Sequence, residues 1–214
     1  MAGSEYEFWL FDLDGTLVDV EWSYARGVLD DVGDRLGVEF SDREAEVLWH
    51  GLGGSRDAQL AAWGYDADAF WTALDDVEDP VARAEATYLH EDAAALADLD
   101  RPTGLVTHCA AFLAEPVLDH LDIADWFDTR LCCSPETGYK PDARPLELAM
   151  TDLGVTSRER GVYVGDGQSD IEAAANAGLH GVHVERHDPE VRGRCVLGDR
   201  RTRRVDTLLQ DAAE

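Results

Sequence analysis

Lysine is almost absent from this sequence, and basic residues as a whole are scarce. Lys140 is the single lysine among 214 residues, so arginine supplies the other 17 of the 18 basic side chains, against 45 acidic ones. The formal net charge of −27 repels the phosphate backbone of nucleic acids and the surface of anionic bilayers. We therefore expect neither nucleic acid nor a membrane as a partner.

The acidic excess is also typical of proteins from a salt-saturated cytoplasm. At molar ionic strength the Debye length shrinks to about 3 Å, so a dense carboxylate surface is screened and stays soluble. We expect a halophilic source, a requirement for molar salt, and most carboxylates at the surface. A functional carboxylate must be distinguished from this background by its context.

Cysteine motifs and long apolar runs are missing as well. The four cysteines, Cys109, Cys132, Cys133 and Cys195, form no C-x-x-C motif. We expect buried reduced thiols, with Cys132 and Cys133 on opposite sides of a strand. No basic and apolar leader opens the chain, and no apolar run reaches 18 residues. These absences predict a soluble cytoplasmic protein.

Short apolar runs, each ended by small or polar residues, predict buried parallel strands. They cover residues 8–11, 104–106, 130–133, 161–164 and 181–184. Helical patterns follow at 145–153 and 171–177, each with a glycine placed to end the helix. In a further helical pattern, Pro116 marks either a kink or the helix start. The alternation predicts an α/β fold, with a Rossmann-like parallel sheet between layers of helices.

Residues 19–99 interrupt this alternation. They contain a capping box at Ser41 and Glu44 and a long helical pattern over 82–99, but no convincing strand. Roughly 80 residues exceed what a simple crossover between strands requires. We therefore predict a Rossmann-like catalytic core of residues 1–18 and 100–214, with a helical cap of residues 19–99 inserted into it.

Polar residues stand where the predicted strands stop. Ligands bind beyond the carboxyl ends of the strands in open parallel sheets, so the positions of interest are Asp12, Thr107, the loop 134–140 and Asp166. The Asp-x-Asp pattern recurs at Asp66 and Asp98, but only the copy at Asp12 and Asp14 directly follows an apolar run.

Carboxylates gathered at one sheet edge require a cation. Two of them about 4 Å apart repel by roughly 4 kcal/mol at an effective dielectric constant of 20. An all-oxygen set containing Asp12, Asp14 and Asp166 suits Mg²⁺, which commonly also binds substrate phosphate. Thr107 could donate its hydroxyl to a phosphate oxygen, and the flexible ammonium of Lys140 suits a second oxygen better than the rigid arginine fork.

Four motifs together resemble the haloacid dehalogenase-like superfamily. FDLDGTLVD, the strand-end threonine in GLVTHC, the lysine in GYKPD, and GDGQSDIEAAANAG occur in that family's order. The resemblance implies that Asp12 is the nucleophile that forms an aspartyl-phosphate, and that Asp14 is the general acid and base. It further implies that Thr107 and Lys140 bind the transferring phosphoryl group.

The resemblance also implies a metal site and a class of substrate. Asp12, the backbone carbonyl of Asp14 and Asp166 would hold Mg²⁺, and Asp170 would either ligate the ion or position a water bound to it. A helical insert after the first motif is similar to the caps of phosphoglycolate phosphatases and β-phosphoglucomutases. It therefore implies a phosphatase acting on a small phosphorylated metabolite, with phosphoglycolate as the first candidate.

The sequence allows alternative roles for several residues and alternative functions. His108 stands where the family has a small polar residue, so we expect it either to contact substrate or to be a loop histidine. In the cap, Gly53 and Arg56 belong to a glycine-rich loop that either binds substrate or is a plain turn. A phosphosugar mutase and a non-catalytic metabolite-binding protein are the alternative functions. We expect a monomer or a homodimer.

Overall fold

The computed structural model describes residues 6–51, 55–186 and 198–213. The chain divides into two compact units, a core unit of Met1–Asp19 and Tyr88–Glu214, and a helical unit of Val20–Thr87. Within the described part of the chain, no helix combines the length and apolar character needed to cross a membrane.

The helical unit contains five helices in its described residues. They are α1 Trp22–Leu36, α2 Asp42–His50, α3 Arg56–Trp63, α4 Ala67–Val77 and α5 Pro80–Ala86. The predicted capping box is confirmed at the start of α2, where Ser41 accepts a hydrogen bond from the Glu44 N–H and Glu44 accepts one from the Ser41 N–H. An apolar cluster that includes Leu29, Phe40 and Phe70 holds the unit together.

A six-stranded parallel sheet forms the centre of the core unit. Its strands are β1 Phe8–Phe11, β4 Thr103–Thr107, β5 Thr129–Cys132, β6 Gly161–Gly165, β7 His180–Val184 and β8 Arg200–Thr202. They lie in the order β5-β4-β1-β6-β7-β8, and Leu10 of β1 stands between Gly104 and Tyr163. Two short strands, β2 Val18–Val20 and β3 Thr87–Leu89, pair separately. The chain passes between the two units within β2 and β3.

Helices cover both faces of the sheet, which confirms the predicted α/β class. Trp9 and Phe11 pack on one face with residues of a 3₁₀ helix and two α-helices, namely Glu91–Asp98, α6 Ala111–His120 and α9 Val205–Ala213. Phe8 and Leu10 pack on the other face with α7 Arg144–Asp152 and α8 Gln168–Ala177. Alternate side chains of β1 therefore enter different apolar layers.

The cysteines follow the same alternation. Cys132 packs against the apolar layer of Trp9 and Phe11, and Cys133 belongs to the layer of Phe8 and Leu10. Cys109, Cys132 and Cys133 form no disulfide, and Cys195 lies outside the described residues. Few acidic side chains are buried: in the described ranges these are Asp12, Asp19, Asp92 and Asp170.

The prediction of one helix over residues 82–99 is wrong. Helix α5 ends at Ala86, and Thr87 and Tyr88 continue as strand β3 before the 3₁₀ helix begins. Threonine and tyrosine favour extended backbone, and pairing with β2 outweighs the alanine-rich helical pattern. As a result, residues 88–99 of the predicted cap lie in the core unit. Pro116 lies inside α6, which begins at Ala111.

Candidate active site

The candidate site lies at the carboxyl ends of β1, β4 and β6. Asp12 directly follows β1, Thr107 ends β4, and Asp166 directly follows β6. Because β1 pairs in parallel with both β4 and β6, these ends meet at one edge of the sheet. The strand order reverses at β1, which is where open α/β sheets bind their ligands.

Three carboxylates converge at this edge. Among the residues that the structure describes, one oxygen each from Asp12, Asp166 and Asp170 lies within 4.8 Å of the other two. Asp170 lies in the first turn of α8, where its Oδ2 accepts a hydrogen bond from the Gly167 N–H at 2.8 Å. A Cβ at Gly165 would stand 2.4 Å from the Cβ of Asp170, so the absence of a side chain there makes room for this carboxylate.

Lys140 is the cation at the centre of this cluster. Its Nζ donates to Oδ1 of Asp12 at 2.8 Å, to Oδ1 of Asp170 at 2.7 Å and to the Tyr163 hydroxyl at 2.9 Å. The Lys140 side chain is 1% exposed. The single lysine of the chain therefore joins two segments that are far apart in sequence, the end of β1 and the start of α8.

The cluster shifts the pKa values of Asp12 and Asp170 in opposite directions. Burial raises the pKa of Asp12 well above its ordinary value; Lys140 opposes this rise, while Asp170 and Asp166 add to it. Burial also tends to raise the pKa of Asp170, but the Lys140 charge and hydrogen bonds from Lys140 and Gly167 lower it overall. For Lys140, burial tends to lower the pKa, and the two neighbouring carboxylates raise it well above its usual range.

Two buried polar residues of the site were missed from the sequence. The Tyr163 hydroxyl donates to the Val106 carbonyl at 2.7 Å and accepts from Lys140, and burial raises its pKa well above its ordinary value. His183 lies 3.0 Å through Nε2 from the Asp166 carbonyl, so we assign its proton to Nε2. The available signal was a polar side chain in each of two strands buried on both faces, since such a group requires a partner.

Asp14 lies in a tight turn beside the cluster. The Gly15 N–H donates to the Val18 carbonyl at 2.8 Å, and the Val18 N–H donates to the Leu13 carbonyl at 3.1 Å. Gly15 has φ of +73°, and a Cβ there would lie 2.7 Å from Asp166, so glycine suits this position on both counts. The half-buried Asp14 carboxylate is not part of the three-carboxylate group found among the described residues.

Thr107 and His108 occupy the end of β4. The buried Thr107 hydroxyl accepts a hydrogen bond from the Cys109 N–H at 3.0 Å, which leaves its own O–H able to donate to a ligand. His108 is exposed, and its ring centroid lies 6.1 Å from that of Tyr139. Its expected contact with substrate stays a prediction.

Arg56, one of the two residues predicted to bind substrate in the helical unit, bonds the end of a helix of that unit. Arg56 donates from Nε to the Leu48 carbonyl at 2.7 Å and from Nη2 to the Trp49 carbonyl at 2.8 Å. These bonds satisfy the carboxyl end of α2, so they explain the position of Arg56 without a substrate. Gly53 lies outside the described residues, and substrate binding by either residue stays a prediction.

The chain is similar in sequence to one hydrolase family and to several phosphatases. The sequence profile of the haloacid dehalogenase-like hydrolases matches residues 9–178. Phosphoglycolate phosphatase of Yersinia pseudotuberculosis is 32% identical over 182 residues, which cover 78% of this chain and 76% of that protein. N-acetylmuramic acid 6-phosphate phosphatase of Pseudomonas aeruginosa is 30% identical over 177 residues, covering 79% of this chain and 77% of the relative.

Solved structures share the fold. That of a Lactobacillus plantarum protein, provisionally assigned as a phosphoglycolate phosphatase, aligns with a TM-score of 0.79 and 21% sequence identity. The alignment covers 96% of this chain and 98% of the other. At this identity the likeness shows a shared fold and nothing finer.

Proposed function

The chain belongs to the haloacid dehalogenase-like hydrolase family and is a phosphoric monoester hydrolase, and we propose that it hydrolyses a small phosphorylated metabolite through an aspartyl-phosphate. The observation that carries the proposal is the buried contact between Asp12 and Lys140, at the strand end where the sheet order reverses. Lys140 binds one oxygen of the Asp12 carboxylate and so fixes its orientation. The other oxygen would attack phosphorus.

The proposed reaction has two steps. In the first, an oxygen of Asp12 forms a bond to phosphorus, the ester bond to the metabolite breaks, and Asp14 gives its proton to the departing oxygen. In the second, Asp14 takes a proton from water, the water oxygen attacks phosphorus, and phosphate leaves Asp12. In support of this role, Asp14 lies two residues beyond Asp12, in a tight turn at the same edge of the sheet.

Thr107 and Lys140 are proposed to bind the transferring phosphoryl group. The Thr107 hydroxyl stands at the end of the strand next to β1, and its acceptor side is already used by Cys109. Lys140 holds a positive charge next to the nucleophile at a site shielded from water. Charge-assisted donors in such a place stabilise developing negative charge strongly.

The donor set fits Mg²⁺. The three clustered groups are all carboxylates, and hard oxygen donors select Mg²⁺ rather than a metal that prefers sulfur or imidazole. Asp12, Asp166, Asp170 and the backbone carbonyl of Asp14 would hold the ion. When bound, Mg²⁺ supplies neutralisation of charge on the phosphoryl oxygens.

The proposed substrate is a small phosphate monoester, with phosphoglycolate first in line. Relatives at 29–32% identity include several phosphoglycolate phosphatases, while another relative acts on N-acetylmuramic acid 6-phosphate. The helical unit would serve as a cap that excludes water from a small substrate, with Gly53, Arg56 and His108 as candidate contacts. A phosphosugar mutase remains the alternative and predicts a sugar-bisphosphate requirement with poor net hydrolysis. A non-catalytic binding protein would release no phosphate.

Phosphate release from a metabolite panel tests the proposal. The panel should contain phosphoglycolate, N-acetylmuramic acid 6-phosphate and hexose phosphates, in molar KCl with either Mg²⁺ or EDTA. We expect Mg²⁺-dependent release from at least one compound, with no need for a bisphosphate activator. A folded protein that releases phosphate from none of them would contradict the proposal.

We also propose that the enzyme works in the cytoplasm at molar salt. The charge of −27 motivates the salt requirement, and the cytoplasm is the compartment in which thiols such as Cys132 and Cys133 stay reduced. The midpoint of thermal unfolding should rise between dilute buffer and molar KCl. Full stability and activity in dilute buffer would contradict this part of the proposal.

A further inference from the structure

Away from the carboxylate cluster, the core unit buries a second ion pair. Arg186, two residues beyond β7, donates from Nη1 to Oδ1 and Oδ2 of Asp92 at 2.7 and 2.9 Å, and the two side chains are only 7% and 5% exposed. The same guanidinium donates from Nε to the backbone carbonyl of Thr16 at 3.0 Å, and Nη2 donates to that carbonyl as well. We refer to Arg186, Asp92 and the Thr16 carbonyl as the Arg186 clamp.

The anchor of the clamp is itself fixed in the core. Asp92 lies in the 3₁₀ helix Glu91–Asp98, whose Ala93 and Leu96 pack in an apolar layer of the sheet. Oδ2 of Asp92 also accepts a hydrogen bond from the N–H of Val205, the first residue of α9. The guanidinium is therefore bonded to a carboxylate that two separate elements hold in place.

Through Nε and Nη2, Arg186 binds the turn that carries Asp14. Thr16 is two residues beyond Asp14 and fully buried. Gly15, the residue before Thr16, lies close to the Asp166 side chain. The turn therefore contacts both Asp166 and the Arg186 clamp, and a shift of the Thr16 carbonyl would move Asp14 with it.

We propose that Arg186, anchored by Asp92, is a positioning residue that holds Asp14 where it can donate a proton to the leaving group. This inference rests on the proposed function, in which Asp14 is the general acid. A planar guanidinium can bind the carboxylate with one edge and the carbonyl with another, whereas a lysine ammonium is a point charge without this fixed fork. A buried ion pair is weak support for stability as such, so the value of this pair lies in the orientation that it imposes.

The test compares two small phosphates of matched size that differ in the need for an acid. Ethyl phosphate must expel an alkoxide, which needs a proton, whereas acetyl phosphate expels acetate, which does not. For both compounds kcat/KM reports the steps up to departure of the leaving group. The ratio of the two kcat/KM values is independent of the fraction of enzyme that is folded, since that fraction enters both values equally.

Arg186→Lys is the principal variant, and Arg158→Lys is its matched control. Arg158 also bonds a carboxylate, Glu147, and a backbone carbonyl, that of Ala177, but it lies at the amino-terminal edge of the sheet. We expect Arg186→Lys to lower kcat/KM about tenfold for ethyl phosphate and less than about twofold for acetyl phosphate. Arg158→Lys should leave the ratio unchanged, and Asp14→Asn should move it in the same direction as Arg186→Lys.

Asp92→Asn provides a second, independent variant, because it weakens the anchor and leaves the guanidinium in place. It should shift the ratio in the same sense as Arg186→Lys, by a smaller factor. Equal losses on the two substrates in both clamp variants would overturn the inference and leave the proposed function intact. A wild-type enzyme that cleaves neither compound nor any member of the metabolite panel would overturn both.

Discussion

The same Asp-x-Asp spacing occurs in both units of this protein with opposite physical results. In the core unit, Asp12 is buried at a strand end and bonded to Lys140. In the helical unit, Asp66 is exposed, and its Oδ1 caps α4 by accepting a hydrogen bond from the Ala69 N–H at 3.0 Å. Burial raises the pKa of Asp12 and Lys140 opposes that rise. Asp66, at the surface, serves as a helix cap.

The contrast extends to the two units as wholes. The helical unit places carboxyl groups at helix starts, as Asp79 does for α5 and Glu44 for α2. In the core unit Asp170 also stands at a helix start, but it is buried there with Asp12 around a single ammonium. A residue type or a short spacing does not decide the role of a carboxylate; the element that carries it, and the partner it meets there, do.

Replacing Asp12, the proposed nucleophile, gives the largest expected difference between the copies at Asp12 and Asp66. Asp12→Asn should lower kcat by at least about 10³-fold, because an amide cannot form the phosphoryl-enzyme. Asp66→Asn, the same chemical change, should alter kcat by less than about twofold, since asparagine also caps helices well. Steady-state phosphate release measures both, and similar losses in the two variants would remove the distinction between the sites.

Removing the central ammonium tests the cost of buried charge. In Lys140→Met, two buried carboxylates lose their shared cation, so the free energy of unfolding in EDTA should fall by about 3–5 kcal/mol. Arg35→Met breaks the exposed ion pair with Asp76 in the helical unit and should cost less than about 1 kcal/mol. Urea denaturation in molar KCl gives both values, and equal costs would contradict the account.

A smaller effect is expected where only a hydroxyl is lost. Tyr163→Phe keeps the ring but removes one acceptor from Lys140 and one donor to Val106, so kcat should fall about tenfold and the free energy of unfolding by about 1–3 kcal/mol. Tyr65→Phe in the helical unit, where the ring packs 5.4 Å from Phe40, should change neither by a measurable amount. Unchanged kcat in Tyr163→Phe would remove this residue from the site.

The smallest effect should come from the capping box of the helical unit. Ser41→Ala should lower the free energy of unfolding by about 1 kcal/mol and leave kcat unchanged. Hydrogen bonds from the side chain and backbone of Ser41 lower the pKa of Glu44. This stabilisation is fully present above the ordinary pKa and is lost as the pH falls through the lowered one. The difference in the free energy of unfolding between the wild type and Ser41→Ala should therefore be smaller at acidic than at neutral pH, and a constant difference would contradict this assignment.

The sequence predicted the sheet and the strand ends because both depend on local patterns. Apolar runs marked strands β1, β4, β5, β6 and β7, and the polar residues after β1, β4 and β6 pointed to the correct edge. The edge strand β8 was not predicted, because Arg200–Thr202 contains no apolar residue. Strand β3 escaped because its pairing with β2 is a tertiary contact, which the alanine-rich pattern of residues 82–99 does not reveal.

Within the site, residues that belong to a sequence motif could be predicted. Residues that join the site only through contacts in the folded core could not. Asp12, Lys140 and Asp166 were found through their motifs. Tyr163 and the Arg186 clamp depend on which side chains meet across the folded core, and these partners lie 23 residues from Lys140 in one case and 94 from Asp92 in the other. Packing also gives Arg56 partners that its motif did not reveal, the carbonyls at the end of α2, and its contact with substrate stays a prediction.

The central claim is that Asp12, and not one of the many other carboxylates, carries the phosphoryl group. Its most direct test is to quench the enzyme in acid during turnover with Mg²⁺, reduce it with borohydride, and map the modified residue by mass spectrometry. We expect homoserine at position 12, the product of reducing an aspartyl-phosphate, and an unmodified Asp66. Modification at another carboxylate, or none during active turnover, would contradict it.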